Sequence, residues 1–456
     1  MRIGFICPSS HYLYDPFRGD PHTHFQILTI IEDRFEHRVE LLLIDLRGID
    51  LKMAIYHIPE CDLYLHSVYT LDYNEQRDIV TNVRRHYPKA LHVAGGPHVS
   101  VYQEEAQTFF DAIVLGDGEE SIITIVETLF AAKPLQKVYR MPRAIEDLGV
   151  LPFPRRHYLP KTATARRNMM NLQGNKESAK LLGSTAIFSR GCPSKCSFCA
   201  MPSSRARGGV PPIRYRPAHH VAAEIEYLKQ EFNIQGLNLL DEIGIPLIPQ
   251  LAREYLEAIG KTGIVWRGQC RVDGITPETA HLARASGCTA MGLGIESVSE
   301  RSLELIRKQI SLEQARRTIA LLNENNIESR LYMIIGLPGE PEDILEQTWR
   351  FIQETQPGLV ILSLFTVRPG TDVFDNPTKY GIEYIDHDST KSMHMFGRYD
   401  NEQPTLTFRY AKTAPWGKTL SNEEIVSNYL ELQQRLKNCG LSALPYYNER
   451  DLLGGG

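Results

Sequence analysis

The sequence lacks a long apolar segment. None of its hydrophobic runs approaches the ~18 residues that a membrane-spanning helix requires. The opening residues, MRIGFICPSSHYLYDPFRGD, also lack the apolar core and the small-residue cleavage site of a secretory signal peptide. We therefore expect a cytoplasmic protein with no membrane partner, in a compartment where thiols stay reduced.

An excess of charge of one sign is missing as well. The 456 residues include 50 Lys and Arg against 55 Asp and Glu, which leaves a net charge of −5. A chain without a basic excess does not have the electrostatic footprint of a nucleic-acid-binding protein, so we expect no nucleic-acid partner. At 42% hydrophobic residues, the chain is long enough for two or three domains, each with its own core.

Two nucleotide-binding signatures are absent, although the first part of the chain alternates between strands and helices as many nucleotide-binding domains do. Residues 1–140 alternate between short apolar strands, such as MRIGFIC and ALHVAGG, and helical segments, such as YNEQRDIVTNVRRHY. This alternation predicts an α/β domain with a doubly wound, Rossmann-like parallel sheet. The loops contain neither G-x-G-x-x-G nor G-x4-G-K-S/T, so NAD and ATP are not expected ligands.

Ligands of such sheets bind beyond the carboxyl ends of the strands. There this sequence places residues 66–70 (HSVYT), 95–98 (GGPH) and 116–119 (GDGE). Glycine in these loops permits close approach of the backbone to a large ligand, and a tight turn needs it equally. Both interpretations stay open on the chemistry of the residues.

The pattern changes after residue 140. Residues 141–183 contain Pro152 and Pro154 and a polar stretch, which predicts a connector between domains. Residues 184–375 contain six strand–helix units, which predicts a partial (β/α)6 barrel of the TIM type. Residues 376–456 are expected to form a small C-terminal subdomain, with a capped helix from Ser421 to about Lys437. Its segment 393–399 either covers the barrel mouth or packs within the subdomain.

Cysteine is sparse outside one segment. Three of the eight cysteines, Cys192, Cys196 and Cys199, stand together in RGCPSKCSFCAMP, directly after the first strand predicted for the barrel. The other five are isolated, and we expect each to be a buried, inert side chain. They are Cys7, Cys61, Cys270, Cys288 and Cys439.

The C-x3-C-x2-C array has three ligands where a structural zinc site has four. No second C-x2-C pair exists, and the nearest candidates for a fourth ligand are His219 and His220. A zinc site completed by a distant residue remains the alternative. The favoured interpretation is a 4Fe–4S cluster held by three thiolates, whose fourth iron keeps an open position for substrate.

The cysteine array, with Phe198 before its last cysteine, resembles the signature of the radical S-adenosylmethionine (SAM) superfamily. Four further motifs agree in order and spacing over about residues 184–375: LLDE, QCRVDGI, GLGIESVSERSL and MIIGLPGEPEDI. The resemblance implies that the three cysteines hold the cluster and that SAM chelates its open iron through amino and carboxylate groups. It also implies SAM contacts from Phe198, Asp241, Glu242, Arg271 and Glu296.

Each of these polar positions has a structural alternative. Asp241 and Glu242 would cap the turn that follows them, and Arg271 would pair with Asp273. Arg330 is a candidate that we do not favour. No residue is assigned to the chemistry on the substrate.

The first domain resembles the cobalamin-binding domain that precedes the barrel in part of this superfamily. AGGPHVS, VLGDGEESI about twenty residues later, and the connector IEDLGVLPFPRR carry the resemblance. It implies that cobalamin is bound by Ser67, Thr70, Gly95, Gly96, Pro97, Gly116, Gly118 and Glu119. The sequence has no D-x-H-x-x-G motif, so a lower histidine ligand for cobalt is not expected, and a domain that kept its fold but lost cobalamin remains possible.

Together the resemblances imply a cobalamin-dependent radical SAM methyltransferase. It would use a 5′-deoxyadenosyl radical on an unactivated carbon, or a phosphinate, of a small-molecule or peptide substrate, with electrons from a flavodoxin, ferredoxin or other low-potential donor. The alternative is a dehydratase, oxidative cyclase or epimerase without methyl transfer. A methylthiotransferase is not expected, because the first domain lacks the extra cysteines for a second cluster. A non-catalytic sensor is disfavoured by the lack of a DNA-binding helix pair.

Overall fold

The structure is a computed structural model. It describes residues 1–10, 13, 15–141, 145–167, 169–170, 178, 180–201, 212–388 and 404–442. Two compact units divide the chain, one formed by residues 1–164 and 205–214, the other by residues 165–204 and 215–456. Within the described ranges, no helix has both the length and the apolarity needed to cross a bilayer.

A parallel sheet forms the centre of the first unit. Its described strands are β1 (Arg2–Cys7), β2 (Glu40–Asp45), β3 (Leu63–Ser67), β4 (Leu91–Gly95), β5 (Ala112–Leu115) and β6 (Val138–Arg140). They lie in the order β2-β1-β3-β4-β5-β6, and every pair is parallel. The predicted doubly wound sheet is confirmed. Strand β6 was not predicted.

The helices of this unit lie between these strands or, for the last of them, after β6. They are α1 (His22–Phe35), α2 (Tyr73–His86), α3 (Pro97–Val101), α4 (Gln103–Phe109), α5 (Glu119–Phe130) and α6 (Lys161–Thr164). Short 3-10 turns occupy Glu36–Arg38, Ala54–His57, Thr70–Asp72 and Leu148–Val150.

Alternation along the strands builds two apolar layers. In β1, Ile3 and Phe5 belong to a buried cluster that includes α1 and α5, whereas Ile6 belongs to another that includes α2. Successive side chains of a strand point to opposite faces. The apolar run of β1 therefore supports packing on both sides of the sheet, as a doubly wound fold requires.

The second unit is built on another parallel sheet. Its described strands are β7 (Gly183–Ala186), β10 (Gly236–Leu239), β11 (Val265–Cys270), β12 (Cys288–Glu296), β13 (Glu328–Ile335) and β14 (Leu359–Leu364). The order is β14-β13-β12-β11-β10-β7, with parallel pairing throughout. This arrangement confirms the predicted partial barrel. Two short strands, β8 (Ser189–Gly191) and β9 (Ile213–Tyr215), lie on either side of the cysteine segment in the chain.

The helices of this sheet follow its strands. They are α7 (Ala218–Phe232), α8 (Pro249–Thr262), α9 (Pro277–Ala285), α10 (Glu300–Leu305), α11 (Leu312–Glu324) and α12 (Ile344–Thr355), with a 3-10 turn at Val272–Gly274. Capping boxes start two of them: the hydroxyl of Thr276 accepts from the backbone N–H of Thr279, and that of Ser311 from the N–H of Gln314. Helix α8 ends at Gly263, whose φ of 65° is left-handed.

The chain ends in small elements and one long helix. They are α13 (Asp372–Asp375), a 3-10 turn (Pro377–Tyr380), β15 (Ile382–Ile385), β16 (Phe408–Tyr410), β17 (Thr413–Ala414), β18 (Gly417–Lys418) and α14 (Asn422–Asn438). Ser421 and Glu424 form the predicted capping box of α14, so that prediction is confirmed. The proposed cover of the mouth, residues 393–399, lies outside the described residues.

Candidate functional site

The cysteine loop, residues 192–199, starts directly after β8, at the carboxyl side of the first barrel strand. Gly191 takes a left-handed φ of 97°, which turns the chain out of β8. Cys192 and Cys196 are half-buried and Cys199 is exposed. None of the three residues is fully buried, and their loop follows a strand end, where catalytic groups of such barrels lie.

Ser197 fixes the loop between its second and third cysteines. Its backbone N–H donates to the carbonyl of Ile306 at 2.9 Å, and its carbonyl accepts from the N–H of Val373 at 3.1 Å. Its hydroxyl reaches the carbonyl of Leu305 at 3.4 Å. Two later parts of the chain thus hold a loop that has no regular secondary structure of its own.

Three cysteine thiols are the donor set that a 4Fe–4S cluster with one open iron uses. Among the described residues, no three Cys, His, Asp or Glu side chains are placed to share one metal ion. A 4Fe–4S cluster does not require the three thiolates to bind the same metal ion, because each thiolate binds a different iron. His219 and His220, the candidate zinc ligands, lie in the first turn of α7 with their ring centroids 4.5 Å apart.

Charges of both signs surround the thiols, since Glu296 acts on Cys196 and Glu242 on Cys199 beside the cations. Burial raises the pKa of Cys199 to about 11, and a hydrogen bond from the N–H of Met201 opposes that shift. Burial also raises the pKa of Cys196, while the nearby charges of Lys308 and Arg271 lower it. These cations favour the thiolate form that an iron ligand needs.

Lys308 is a neighbour of the loop that the sequence reasoning missed. Its ammonium donates to Glu296 Oε1 at 2.7 Å, with both side chains nearly buried. Glu296, a predicted SAM contact, ends β12 in a left-handed conformation at φ 70°. Arg307 and Gln309 are also left-handed, at 55° and 54°. Left-handed φ is unfavourable for residues with side chains and tends to be retained at functional sites.

Asp241 lies beyond the end of β10, with its side chain buried. Its Oδ1 accepts from the N–H groups of Phe188 and Ser189, at 2.9 and 2.5 Å, and from the Ser189 hydroxyl at 2.6 Å. Its Oδ2 has no hydrogen-bond partner among the described residues. Burial raises the pKa of Asp241 to about 7, against the lowering effect of these bonds. One oxygen thus orders the start of the cysteine segment, and the other remains available to a ligand.

Glu242, the next residue, is exposed and follows the end of β10. The surrounding protein raises its pKa and the charge of Arg368 lowers it. Arg368 follows β14, an edge strand, and three strands separate β14 from β10 in the sheet. The interaction of their charges indicates that Arg368 and Glu242 lie near each other. Sequence reasoning missed Arg368, although its place just after GLVILSLF is a strand-end signal.

Arg271 makes the ion pair that was considered as its structural alternative. Its guanidinium donates to the two carboxylate oxygens of Asp273 at 2.8 and 2.9 Å, and it also donates to the hydroxyl of Ser194 inside the cysteine loop. Arg330 lies in the first half of β13 and pairs with Glu328 at 2.7 Å. Phe198 is half-buried in the loop.

The predicted cobalamin residues lie at three adjacent strand ends of the first unit. Ser67 ends β3 and Gly95 ends β4, and the loop 116–119 follows β5. Ser67 and Glu119 are buried, whereas Gly116 and Pro97 are exposed. Thr70 lies with its hydroxyl 3.3 Å from His98 Nδ1. All eight positions therefore lie at or just beyond the carboxyl ends of three adjacent strands.

Two glycines of this edge have different roles. A Cβ on Gly96, at φ 103°, would lie 2.8 Å from the carbonyl oxygen of Val68, so this glycine is needed for packing. A Cβ on Gly116, at φ 85°, would meet nothing within 4 Å. A Cβ on Gly118 would meet the side chains of Ile27 and Val114 at ordinary distances of 3.6 and 3.8 Å. The open side at residues 116–118 fits close approach of a large ligand to the backbone.

The isolated cysteines are largely as expected. Cys7, Cys61, Cys270 and Cys288 are buried. The prediction was wrong for Cys439, which is exposed. Cys439 is the C-cap of α14, where the chain leaves the helix at the surface.

Residues 186–352 match the family model described as the Radical SAM superfamily. The chain contains a radical SAM domain. The match confirms the resemblance predicted from the motifs, and with it the prediction of a radical SAM enzyme.

Two curated relatives are similar to this chain over most of its length. The bacteriochlorophyllide d C-12(1)-methyltransferase of Chlorobaculum tepidum is 24% identical, over 75% of this chain and 68% of its own. The anaerobic magnesium-protoporphyrin IX monomethyl ester cyclase of Rubrivivax gelatinosus is 27% identical, over 63% of this chain. The chain spans about half, 53%, of that cyclase.

A solved structure shares the fold. The radical SAM methyltransferase TsrM of Kitasatospora setae, with cobalamin and a 4Fe–4S cluster bound, aligns with a TM-score of 0.68 at 16% identity. The alignment covers 98% of this chain and 91% of TsrM. Both predicted sheets thus occur in one known architecture.

Proposed function

We propose that this radical SAM protein is a cobalamin-dependent methyltransferase acting on an unactivated carbon, or a phosphinate, of a small-molecule or peptide substrate. The observation that carries the proposal is the loop of three thiols, fixed at Ser197 and placed at the strand ends of a partial barrel. The methyltransferase activity of the Chlorobaculum tepidum relative and the shared fold of TsrM support methyl transfer.

Residues of the second unit would hold the cluster and SAM. Cys192, Cys196 and Cys199 are the cluster ligands, and SAM supplies the 5′-deoxyadenosyl radical when bound to that cluster. Asp241 Oδ2 would accept a hydrogen bond from the SAM amino group, because it is buried and unpartnered among the described residues. Lys308 holds Glu296 in position.

The first unit would bind cobalamin, which supplies a methyl carrier. Ser67, Thr70 and the glycine-containing loops at 95–97 and 116–119 form the binding edge, and the open side of Gly116 would admit the corrin ring. We assign residues 1–140 to this domain and residues 184–375 to the barrel. The connector 141–183 would join them, and the C-terminal subdomain 376–456 would complete the chain. A low-potential electron donor is a further requirement.

A second candidate is an oxidative cyclase. The 27% identity with the magnesium-protoporphyrin IX monomethyl ester cyclase favours it. A cyclase would use the same three cysteines, so the cluster alone does not separate the two activities. The products of SAM do separate them.

Anaerobic reconstitution tests the proposal. We expect about four irons and one corrinoid per chain, and 5′-deoxyadenosine formed together with S-adenosylhomocysteine. 5′-Deoxyadenosine without S-adenosylhomocysteine would reject methyl transfer and favour the cyclase. One zinc per chain with no iron would reject the cluster.

A matched pair of variants assigns the ligands. Cys196→Ala should lose the cluster and all SAM cleavage. Cys439→Ala, an exposed cysteine outside the loop, should retain the iron content of the wild type. Equal iron in both variants would exclude Cys196 as a ligand.

A further inference from the structure

A buried ion pair anchors the loop that follows β5. Arg214 Nη1 donates to Asp117 Oδ2 at 2.7 Å, and Arg214 Nη2 donates to Asp117 Oδ1 at 3.2 Å. Only 1% of the Arg214 side chain and 6% of the Asp117 side chain are exposed. Paired hydrogen bonds between a guanidinium and a carboxylate fix the orientation of both groups. The ion pair therefore holds the Asp117 side chain in a defined place.

The connector adds two contacts to this pair. The N–H of Ile145 donates to Asp117 Oδ2 at 3.1 Å, and Arg214 Nη1 also donates to the carbonyl of Ile145. Three separate parts of the chain thus meet at Asp117. Breaking a buried ion pair by removing one partner leaves the other charge uncompensated. Without Arg214, the loop would therefore have to move the carboxylate of Asp117 toward water.

The loop depends on Asp117 for its position. Asp117 lies between Gly116 and Gly118, and glycine leaves the backbone more conformational freedom than any other residue does. Gly116 has a left-handed φ of 85°, and a Cβ on it would meet nothing within 4 Å. This open side is the place proposed for the corrin ring. The anchored side chain and the open backbone thus belong to the same three residues.

Arg214 comes from a distant part of the sequence, after the cysteine array. It ends the segment 205–214 of the first unit, and the next residue belongs to the second unit. Within the second unit, the N–H of Arg216 donates to the carbonyl of Phe188 at 2.8 Å, and the N–H of Phe188 donates to Asp241 Oδ1 at 2.9 Å. Hydrogen bonds thus hold the chain on both sides of the point where it passes from one unit to the other.

We propose that Arg214 is a positioning residue for the corrinoid. By binding Asp117, it holds the backbone of residues 116–118 in the conformation whose open side receives the corrin ring. This inference rests on the proposed binding of cobalamin and is independent of methyl transfer. It assigns part of the corrinoid affinity of the first unit to a residue that follows the cysteine array in the chain.

Equilibrium dialysis of hydroxocobalamin against the reconstituted full chain tests the inference. Arg214→Gln should weaken corrinoid binding at least about tenfold, because the loop loses its anchor. Arg214→Lys keeps the charge but not the paired hydrogen bonds, and should recover part of the affinity. Asp117→Asn should weaken binding as well. The double variant should bind no more weakly than the weaker single variant, because both changes break the same pair.

A second buried ion pair provides the control. Arg47, which follows β2, donates from Nε to Asp45 at 2.8 Å, with 3% of its side chain exposed. Three strands separate β2 from β5 in the sheet. Arg47→Gln should lower the free energy of unfolding, as Arg214→Gln should, but keep the corrinoid affinity of the wild type. Equal losses of corrinoid affinity in these two variants would indicate general destabilisation and overturn the inference.

Other outcomes separate the inference from the proposed function. Arg214→Gln should keep the iron content and SAM affinity of the wild type, and loss of either would assign Arg214 to the cysteine segment and overturn the inference. Unchanged corrinoid affinity in Arg214→Gln, or losses that multiply in the double variant, would overturn it too. A wild type that binds no hydroxocobalamin would reject both the inference and a cobalamin-dependent function. Corrinoid binding that depends on Arg214, without S-adenosylhomocysteine formation, would support the inference and reject only methyl transfer.

Discussion

The ion pair of Lys308 and Glu296 occupies the space that a side chain on residue 294 would fill. A Cβ built on Gly294 would lie 2.5 Å from Glu296 Oε1 and 2.7 Å from Lys308 Nζ. The donor and acceptor are themselves 2.7 Å apart. Because Gly294 has no side chain, the nearly buried ion pair of Glu296 and Lys308 fits next to the cysteine loop.

Gly294→Ala should break this pair. The added methyl group forces the carboxylate and the ammonium apart, so we expect a loss of about 1–3 kcal/mol in unfolding free energy and weaker SAM binding. Denaturant unfolding and equilibrium dialysis of SAM measure the two effects. Gly95→Ala is the control, since its Cβ would meet its nearest atom at an ordinary 3.5 Å. Equal stability of the two variants would contradict the steric argument.

Ser197→Pro should prevent cluster incorporation. Proline has no N–H and so cannot donate to the carbonyl of Ile306, which frees the centre of the cysteine loop. Ser197→Ala keeps that donor and loses only the long 3.4 Å hydroxyl contact. We expect iron and sulfide near zero in the proline variant and near the wild-type content in the alanine variant. Full iron content in Ser197→Pro would show that the loop needs no such anchor.

Asp241→Asn should distinguish the structural role of Oδ1 from the proposed SAM-binding role of Oδ2. Asparagine keeps one acceptor for Phe188 and Ser189, so stability should change by less than about 1 kcal/mol, whereas Asp241→Ala leaves buried donors unpaired at about 1–3 kcal/mol each. The amide of Asn presents a donor where Oδ2 presented an acceptor. SAM affinity should fall at least about tenfold, as measured by equilibrium dialysis. Wild-type SAM affinity would leave Asp241 with a structural role alone.

Glu340 should make stability depend on pH. Burial raises its pKa from 4.5 to about 8, against hydrogen bonds from the N–H groups of Gly336 and Leu337. Tyr410 faces the same region, and burial keeps its hydroxyl protonated by raising its pKa. The folded state thus keeps a proton that the unfolded chain loses near pH 4.5. The contribution of Glu340 to the unfolding free energy is therefore fully present below pH 4.5 and is lost as the pH rises to about 8.

Glu340→Gln should remove this slope. Between pH 5 and 8, the unfolding free energy of the wild type should fall relative to that of Glu340→Gln, by at most about 1.4 kcal/mol per pH unit. Urea unfolding at several pH values measures it. Glu342→Gln, at an exposed position paired with Lys418, should leave the wild-type slope intact. Parallel profiles for wild type and Glu340→Gln would show that Glu340 is ionised in the folded protein.

Periodicity and strand-end position predicted both sheets and the location of the cysteine loop. Strand β6, Val138–Arg140, was missed because three residues are too few to show an alternation. The sequence could not show whether Gly96 is needed for packing or for close approach of a ligand. The contact that a Cβ would make with Val68 is visible only in the structure. Lys308 gave no local signal, because its pairing with Glu296 depends on how α10 and the chain after it return to β12.

The contacts of Ser197 have a consequence for the order of events during synthesis. Its partner Leu305 lies 108 positions later in the chain, and Val373 comes later still. When the three cysteines leave the ribosome, the groups that hold their loop do not yet exist. The loop reaches its final conformation only after residue 373 has been made, so a cluster held by this loop would be inserted after that point in synthesis.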